Sequence, residues 1–155
     1  MKRSAGIIAY KIENNEIKVL LCHYGGPYFF GIDDGGWSIP KGEIEENENV
    51  IDTAKREFNE ETNLEVNTEI KYLASRKISR KKLVIMFYTN SDFDLSNCKS
   101  NTFEMEYPFK SKNIQIFPEM DKYEWMSLDI AKIKIVKSQL YFIERLEKVL
   151  LWKEN

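Results

Sequence analysis

Histidine is almost missing from this chain. His23 is the only one among 155 residues, which excludes histidine-rich metal sites and argues against a Ser-His-Asp triad. Cysteine is nearly as scarce. Cys22 and Cys98 are too few for a disulfide framework, and Cys22 lies in an apolar run where a buried, reduced thiol is expected. Neither sign of charge dominates. A net charge of −2 and a pI near 5.6 speak against holding nucleic acid by bulk electrostatics, although local basic groups can still grip a small phosphate. No apolar stretch approaches a membrane span, and the run within MKRSAGIIAYKIENN is too short and too soon interrupted for a secretory signal. The cytoplasm is therefore the expected compartment. Repeats, low-complexity tracts and linkers are lacking as well.

What is present suits one domain over residues 1–155. Hydrophobic residues make up 43% and charged residues 31%, enough to build a core without staples. Ser4 to Ile12 and Ile17 to His23 read as strands around the turn Glu13-Asn14-Asn15-Glu16. Tyr24 to Gly36 is a glycine-flanked loop centred on Tyr28-Phe29-Phe30, and Trp37-Ser38-Ile39 is a short strand stopped by Pro40. Ile70 to Ile78 and Leu83 to Thr89 read as strands joined by the basic turn Ser79-Arg80-Lys81-Lys82. Ser91 to Asn101 reads as loop, Thr102 to Phe109 as strand, the stretch around Pro118 as loop, and Lys122 to Met126 as strand. A helix is expected over Val136 to Leu151, where Leu140, Ile143, Leu146, Val149 and Leu150 recur with helical period. The fold class is mixed α/β.

One helix breaks the usual rules. Asn49 to Thr62 has an N-cap in Asn49 with Asp52 behind it, an apolar stripe of Val50, Ala54 and Phe58 with Ile51 alongside, and in Asn63 a residue suited to a left-handed close. Glu57, Glu60 and Glu61 share a face of its last turn, where the dipole disfavours acids. Such pairs cost a few tenths of a kcal/mol each, and a dipole mismatch up to about 1 kcal/mol. A hard divalent cation such as Mg2+, or Mn2+ in its place, would turn that cost into binding.

The segment containing this helix, GEIEENENVIDTAKREFNEETNL, resembles the Nudix box, G-x5-E-x7-R-E-U-x-E-E-x-G-U, where U is bulky and apolar. The matches are Gly42, Glu48, Arg56, Glu57, Phe58, Glu60, Glu61 and Leu64; the pattern's second glycine is Asn63. Asn tolerates positive φ best after glycine, so the turn is expected to survive. Trp37-Ser38-Ile39-Pro40-Lys41-Gly42 and the late Pro118-Glu119-Met120-Asp121 also look like the family's surroundings of the box.

The resemblance implies an α/β/α sandwich, with a mixed sheet between the box helix and a C-terminal helix. It implies hydrolysis of a nucleoside diphosphate linked to another moiety, here most similar to the nucleoside triphosphate or dinucleoside polyphosphate hydrolases. By position, Glu57, Glu60, Glu61 and the Gly42 carbonyl would bind metal. Arg56 would orient the glutamates with acidic Asp52 and Glu60 one turn away on either side, and Glu48 would support the loop. For the general base, Glu119 comes first and Asp121 second, with Glu57 the alternative. Lys41 is either a phosphate contact or a surface lysine. Tyr28, Phe29 and Phe30 either stack on a nucleobase or cover a sheet edge. Arg80, Lys81 and Lys82 read as an exposed turn, Trp37 and Trp125 as packing residues, and Cys22 and His23 as structural. The expected partner is a small nucleotide, with no membrane, no bulk nucleic acid, and room for a homodimer. A catalytically silent nucleotide sensor is the alternative of another class; a nucleic-acid-binding module is a third that the acidic charge does not favour.

Overall fold

Ala5, Ile7, Ile8 and Ala9 are fully buried at the middle of strand β1 (Lys2–Glu13). A strand covered on both faces reads as a continuous apolar run, and β1 is central. It pairs antiparallel with β2 (Glu16–Tyr24) and parallel with a later strand, Lys82–Asn90. The β1–β2 hairpin closes on Asn14 and Asn15 at φ 53° and 62°, the two positive values that a type I′ turn needs. In this computed structural model, residues 1–153 are described; the last two of the expected 1–155 domain lie outside them.

Two short strands, β3 (Trp37–Ser38) and β4 (Lys41–Glu43), attach to β2 and β1. Helix α1 (Val50–Thr62) follows, then β5 (Lys71–Ser79) paired antiparallel with β6 (Lys82–Asn90). A separate two-stranded hairpin, β7 (Thr102–Glu106) with β8 (Ile114–Pro118), precedes β9 (Met120–Ser127), which returns to β2. The parallel β1–β6 pair makes the seven-stranded sheet mixed.

Alternate side chains of β1 and β2 supply both cores. Ala5, Ile7, Ala9 and Leu20 pack under Ala54 and Phe58 of α1. Ile8, Val19 and Leu21 face the opposite way, against α2 (Leu128–Lys134) and α3 (Leu140–Lys153) through Leu128, Ala131, Phe142, Ile143 and Leu146. The expected sandwich is thus observed.

Three local expectations are corrected, and one short helix has no counterpart in the sequence reading. The strand expected over Thr102 to Phe109 stops at Glu106, just ahead of Pro108, whose ring nitrogen has no proton to donate to a ladder. The stretch read as loop before Glu119 holds β8, with Pro118 at its end where a missing N–H is tolerated. Ser127 caps α2, a seven-residue helix too short for periodicity to announce. The C-terminal helix begins at Leu140 and not Val136, because a 3-10 turn over Lys137–Gln139 comes first.

That turn buries Gln139 for a reason. Its Oε1 accepts from the Ile39 N–H at 2.7 Å and its Nε2 donates to Ser38 Oγ at 2.9 Å, tying the helix start to the β3 segment. Gln139→Leu keeps the volume but leaves the Ile39 N–H without its acceptor. The expected loss is about 1–3 kcal/mol, read as a lower urea midpoint at unchanged m-value; an unchanged midpoint would refute the anchoring role.

Candidate active site

Helix α1 carries the caps its sequence promised. Asn49 accepts from the Asp52 N–H at 2.9 Å and donates back to the Asp52 carboxylate at 2.8 Å, while Asn63 closes the helix at φ 65°. Asp52 is occupied with this cap, so Arg56 takes other partners. Its Nε and Nη2 grip Glu48 at 2.8 and 3.0 Å, and its Nη1 reaches Glu57 at 2.9 Å and Glu60 at 3.1 Å. A further bond runs to the Glu43 carbonyl at 3.2 Å. Arg56 therefore ties the loop before the helix to two glutamates at its end. Glu48 supports that loop as expected, also accepting from Thr53 Oγ1 at 2.6 Å and from the Glu45 N–H at 3.2 Å.

Gly42 is where the backbone comes closest. A Cβ there would stand 2.0 Å from the carboxyl carbon of Glu57, so any larger residue would push that side chain from its place. Glu61 is 3% exposed and accepts from the Lys41 N–H at 2.8 Å. Burial pushes the Glu61 carboxyl well above the ordinary carboxylate range, and Glu57 adds to the shift. Glu57 is raised by burial too, with Arg56 opposing and Glu60 adding. Glu119 rises through burial and then through Glu60. These four carboxylates are thus one electrostatic group, gathered from α1 and the β8–β9 junction.

Among the described residues, no three acidic, histidine or cysteine side chains form a closed ligand set; Arg56 sits between Glu57 and Glu60 instead. The donor chemistry nevertheless fits a hard divalent ion. Every donor is oxygen, the local excess is negative, and Glu61 is buried with no side-chain cation bonded to it.

Beside the cluster opens a cavity of about 390 Å3. Glu61, Glu119 and Lys41 line it together with the rings of Tyr24, Tyr28, Phe29 and Phe103 and with Met105. Tyr28 and Phe29 therefore stand where the site is, with the Phe29 ring 4.8 Å from that of Tyr24. Phe30 is 85% exposed and outside the cavity. Burial holds the Lys41 ammonium below the usual lysine range, against the pull of Glu61.

Asp121 is placed elsewhere. The β2–β9 register shifts between His23 and Tyr24, and Asp121 falls in that bulge, where it bonds His23 Nδ1 at 2.7 Å. His23 Nε2 meets the Ile32 carbonyl at 2.5 Å, so the ring braces the aromatic loop. Trp37 is buried, Cys22 is a buried free thiol, and Arg80, Lys81 and Lys82 are exposed in their turn. Phe103 and Met105 are pocket residues that reading the sequence missed. Their spacing of two marks one face of a strand, but nothing local shows what that face covers.

The family model described as NUDIX domain matches residues 2–146. A comparison with curated proteins finds no match. Among solved structures, the chain is similar to the NUDIX domain of Shewanella oneidensis NrtR complexed with ADP ribose, at TM-score 0.67 and 16% identity, covering 96% of this chain and 87% of that one. It is also similar to a C. elegans Ap4A hydrolase binary complex, at TM-score 0.63 and 18% identity, covering 97% and 98%. Shewanella oneidensis NrtR complexed with a 27mer DNA matches at TM-score 0.63 and 18% identity, covering 97% of this chain and 62% of that one. Likeness at this identity speaks for the fold.

The Glu48–Arg56 pair has a pH signature. Hydrogen bonds from Arg56 hold the Glu48 carboxyl down to about 2, from an ordinary value of 4.5. A depressed carboxylate stabilises the fold above its unfolded pKa and loses that contribution as pH falls through the folded one. Glu48→Gln should therefore be less stable than wild type at neutral pH, with the gap closing as pH falls from about 4.5 toward about 2. Urea titrations at several pH values check this, and a gap independent of pH would refute it.

Proposed function

Because the chain belongs to the NUDIX family, we propose that it is a divalent-metal-dependent hydrolase of a pyrophosphate linkage in a nucleoside diphosphate derivative, a nucleoside triphosphate or a dinucleoside polyphosphate. The observation that carries this is the junction of a buried carboxylate cluster with an aromatic cavity, Glu61 and Glu119 belonging to both. Glu57, Glu60, Glu61 and the Gly42 carbonyl would hold Mg2+, or Mn2+ in its place. The ion, when bound, neutralises phosphate charge and lowers the pKa of water.

The chain's own groups do the rest. Glu119 accepts the proton of the attacking water as the water oxygen bonds to phosphorus and the anhydride P–O bond breaks. Its partly buried position lifts its basicity toward the range useful for a general base. Lys41 contacts phosphate oxygens from the cavity wall, and Tyr28 and Phe29 offer ring faces to a nucleobase. Arg56 keeps Glu57 and Glu60 in place from the side away from substrate.

A second reading has support of its own, since NrtR, with its ADP-ribose and 27mer DNA complexes, shares this fold. In it the chain senses a nucleotide without cleaving it. The box carboxylates, all present, favour the hydrolase.

Phosphate release from a nucleotide panel with Mg2+ separates the two. Outer partners of metal ligands alone are worth 10–100-fold, so Glu60→Gln should lower turnover by more than about 100-fold. Silence of the wild type across the panel, with nucleotide binding intact, would favour the sensor.

A further inference from the structure

The last turn of α1 leaves carbonyls that the helix itself cannot satisfy. Those of Glu60 and Thr62 accept from the N–H groups of Asn101 (2.8 Å) and Lys99 (3.3 Å), and that of Glu61 accepts from the Tyr123 hydroxyl at 2.6 Å. A strap over residues 99–101 thus lies along the end of the helix that carries the glutamates. Asn101 faces two ways. Its N–H holds the Glu60 carbonyl, while its own carbonyl accepts from the N–H of Glu119 at 2.9 Å. Glu119 is gripped from its other side as well, because its carbonyl accepts from the Gly25 N–H at 2.9 Å. The backbone of one residue, Asn101, therefore joins the helix bearing Glu60 to the proposed base.

What keeps that residue in place is a hydroxyl. Ser100 Oγ accepts from the Met120 N–H at 2.9 Å and stands 2.8 Å from the Asn101 carbonyl and 3.1 Å from the Met120 carbonyl. Ser100 is half-buried and does not line the cavity. Its bonds go to the Asn101 carbonyl, which holds the Glu119 N–H, and to the Met120 backbone that follows Glu119. Removing the hydroxyl frees the Met120 N–H and loosens the strap on which the Glu119 peptide hangs.

We propose that Ser100 is a positioning residue of the active site, locking the strap so that the Glu119 carboxyl and the α1 glutamates keep a fixed separation. This rests on the hydrolase reading and on Glu119 as base. Among the described residues, Lys41, Tyr28 and Phe29 make no hydrogen bond to residues 99–101, so the effect belongs in kcat and not in KM. Small misplacements of a reacting group cost up to about 100-fold even when caused from a distance.

The test compares wild type, Ser100→Ala and Ser100→Thr with Mg2+ and the nucleoside triphosphate that the wild type cleaves fastest, alongside native-state hydrogen exchange. Ser100→Ala should lose about 10–100-fold in kcat, with KM within about twofold. The Glu119 and Met120 amides should exchange at least about tenfold faster while those of the middle of α1 keep their rates. Ser100→Thr, which retains the hydroxyl, should recover most of both. Unchanged kcat, an equal rise in KM, or faster exchange throughout the protein would overturn the proposal. If the wild type cleaves no nucleotide the hydrolase reading falls, and the strap is then judged on exchange alone: unaltered Glu119 and Met120 amides in Ser100→Ala would refute it.

Discussion

Mutual repulsion among partly buried carboxylates is the constraint around which this protein is arranged. Glu57, Glu60, Glu61 and Glu119 crowd together at the end of α1 where its dipole is already negative, and burial raises Glu57 and Glu119 and lifts Glu61 well above the ordinary carboxylate range. Arg56 is, among the described residues, the one guanidinium bonded to them, and it is held as well by Glu48. The remaining relief comes from backbone: the Lys41 N–H on Glu61, and donors on the carbonyls of the last turn. An arrangement costly in an empty protein is the sort a divalent cation relieves.

The sheet makes that crowding geometrically available. β4 pairs with β1 and so brings Gly42 against the carboxyl end of Glu57. β9 pairs with β2 and sets its first residue, Met120, beside Tyr24, which draws Glu119 to the mouth of the cavity. Phe58 and Ala54 press α1 onto the sheet from the other direction. Two elements outside the sheet add to the lining of the cavity, the aromatic loop after β2 and the β7–β8 hairpin. The carboxylates thus sit on α1 and beside the first residue of β9, and most of the cavity's rings on the loop and hairpin outside the sheet.

This division explains what the amino-acid order made legible. The caps Asn49 and Asn63, the shared face of the glutamates and the Asn14-Asn15 turn are all local, set by residues within a few positions of one another. The sandwich followed from the box and its surroundings. The roles of Phe103, Met105, Gln139 and Ser100 depend on partners far along the chain, such as Gly26 for Phe103 and Ile39 for Gln139, and no periodicity encodes those. Asp121 shows a different limit. It stands two residues from Glu119, yet a bulge in β9 pairing turns it onto His23, and a bulge leaves no mark in composition. Seven-residue α2 was hidden by its brevity alone.

Crowded glutamates built to hold a cation should take one up without substrate. Electron paramagnetic resonance of free Mn2+ during titration with the protein reads this without any substrate. Wild type should remove the free-ion signal in proportion to protein added, and Glu61→Gln, isosteric and uncharged, should leave most of it standing while keeping a wild-type circular dichroism spectrum. A free-ion signal untouched by the wild-type protein would contradict the account.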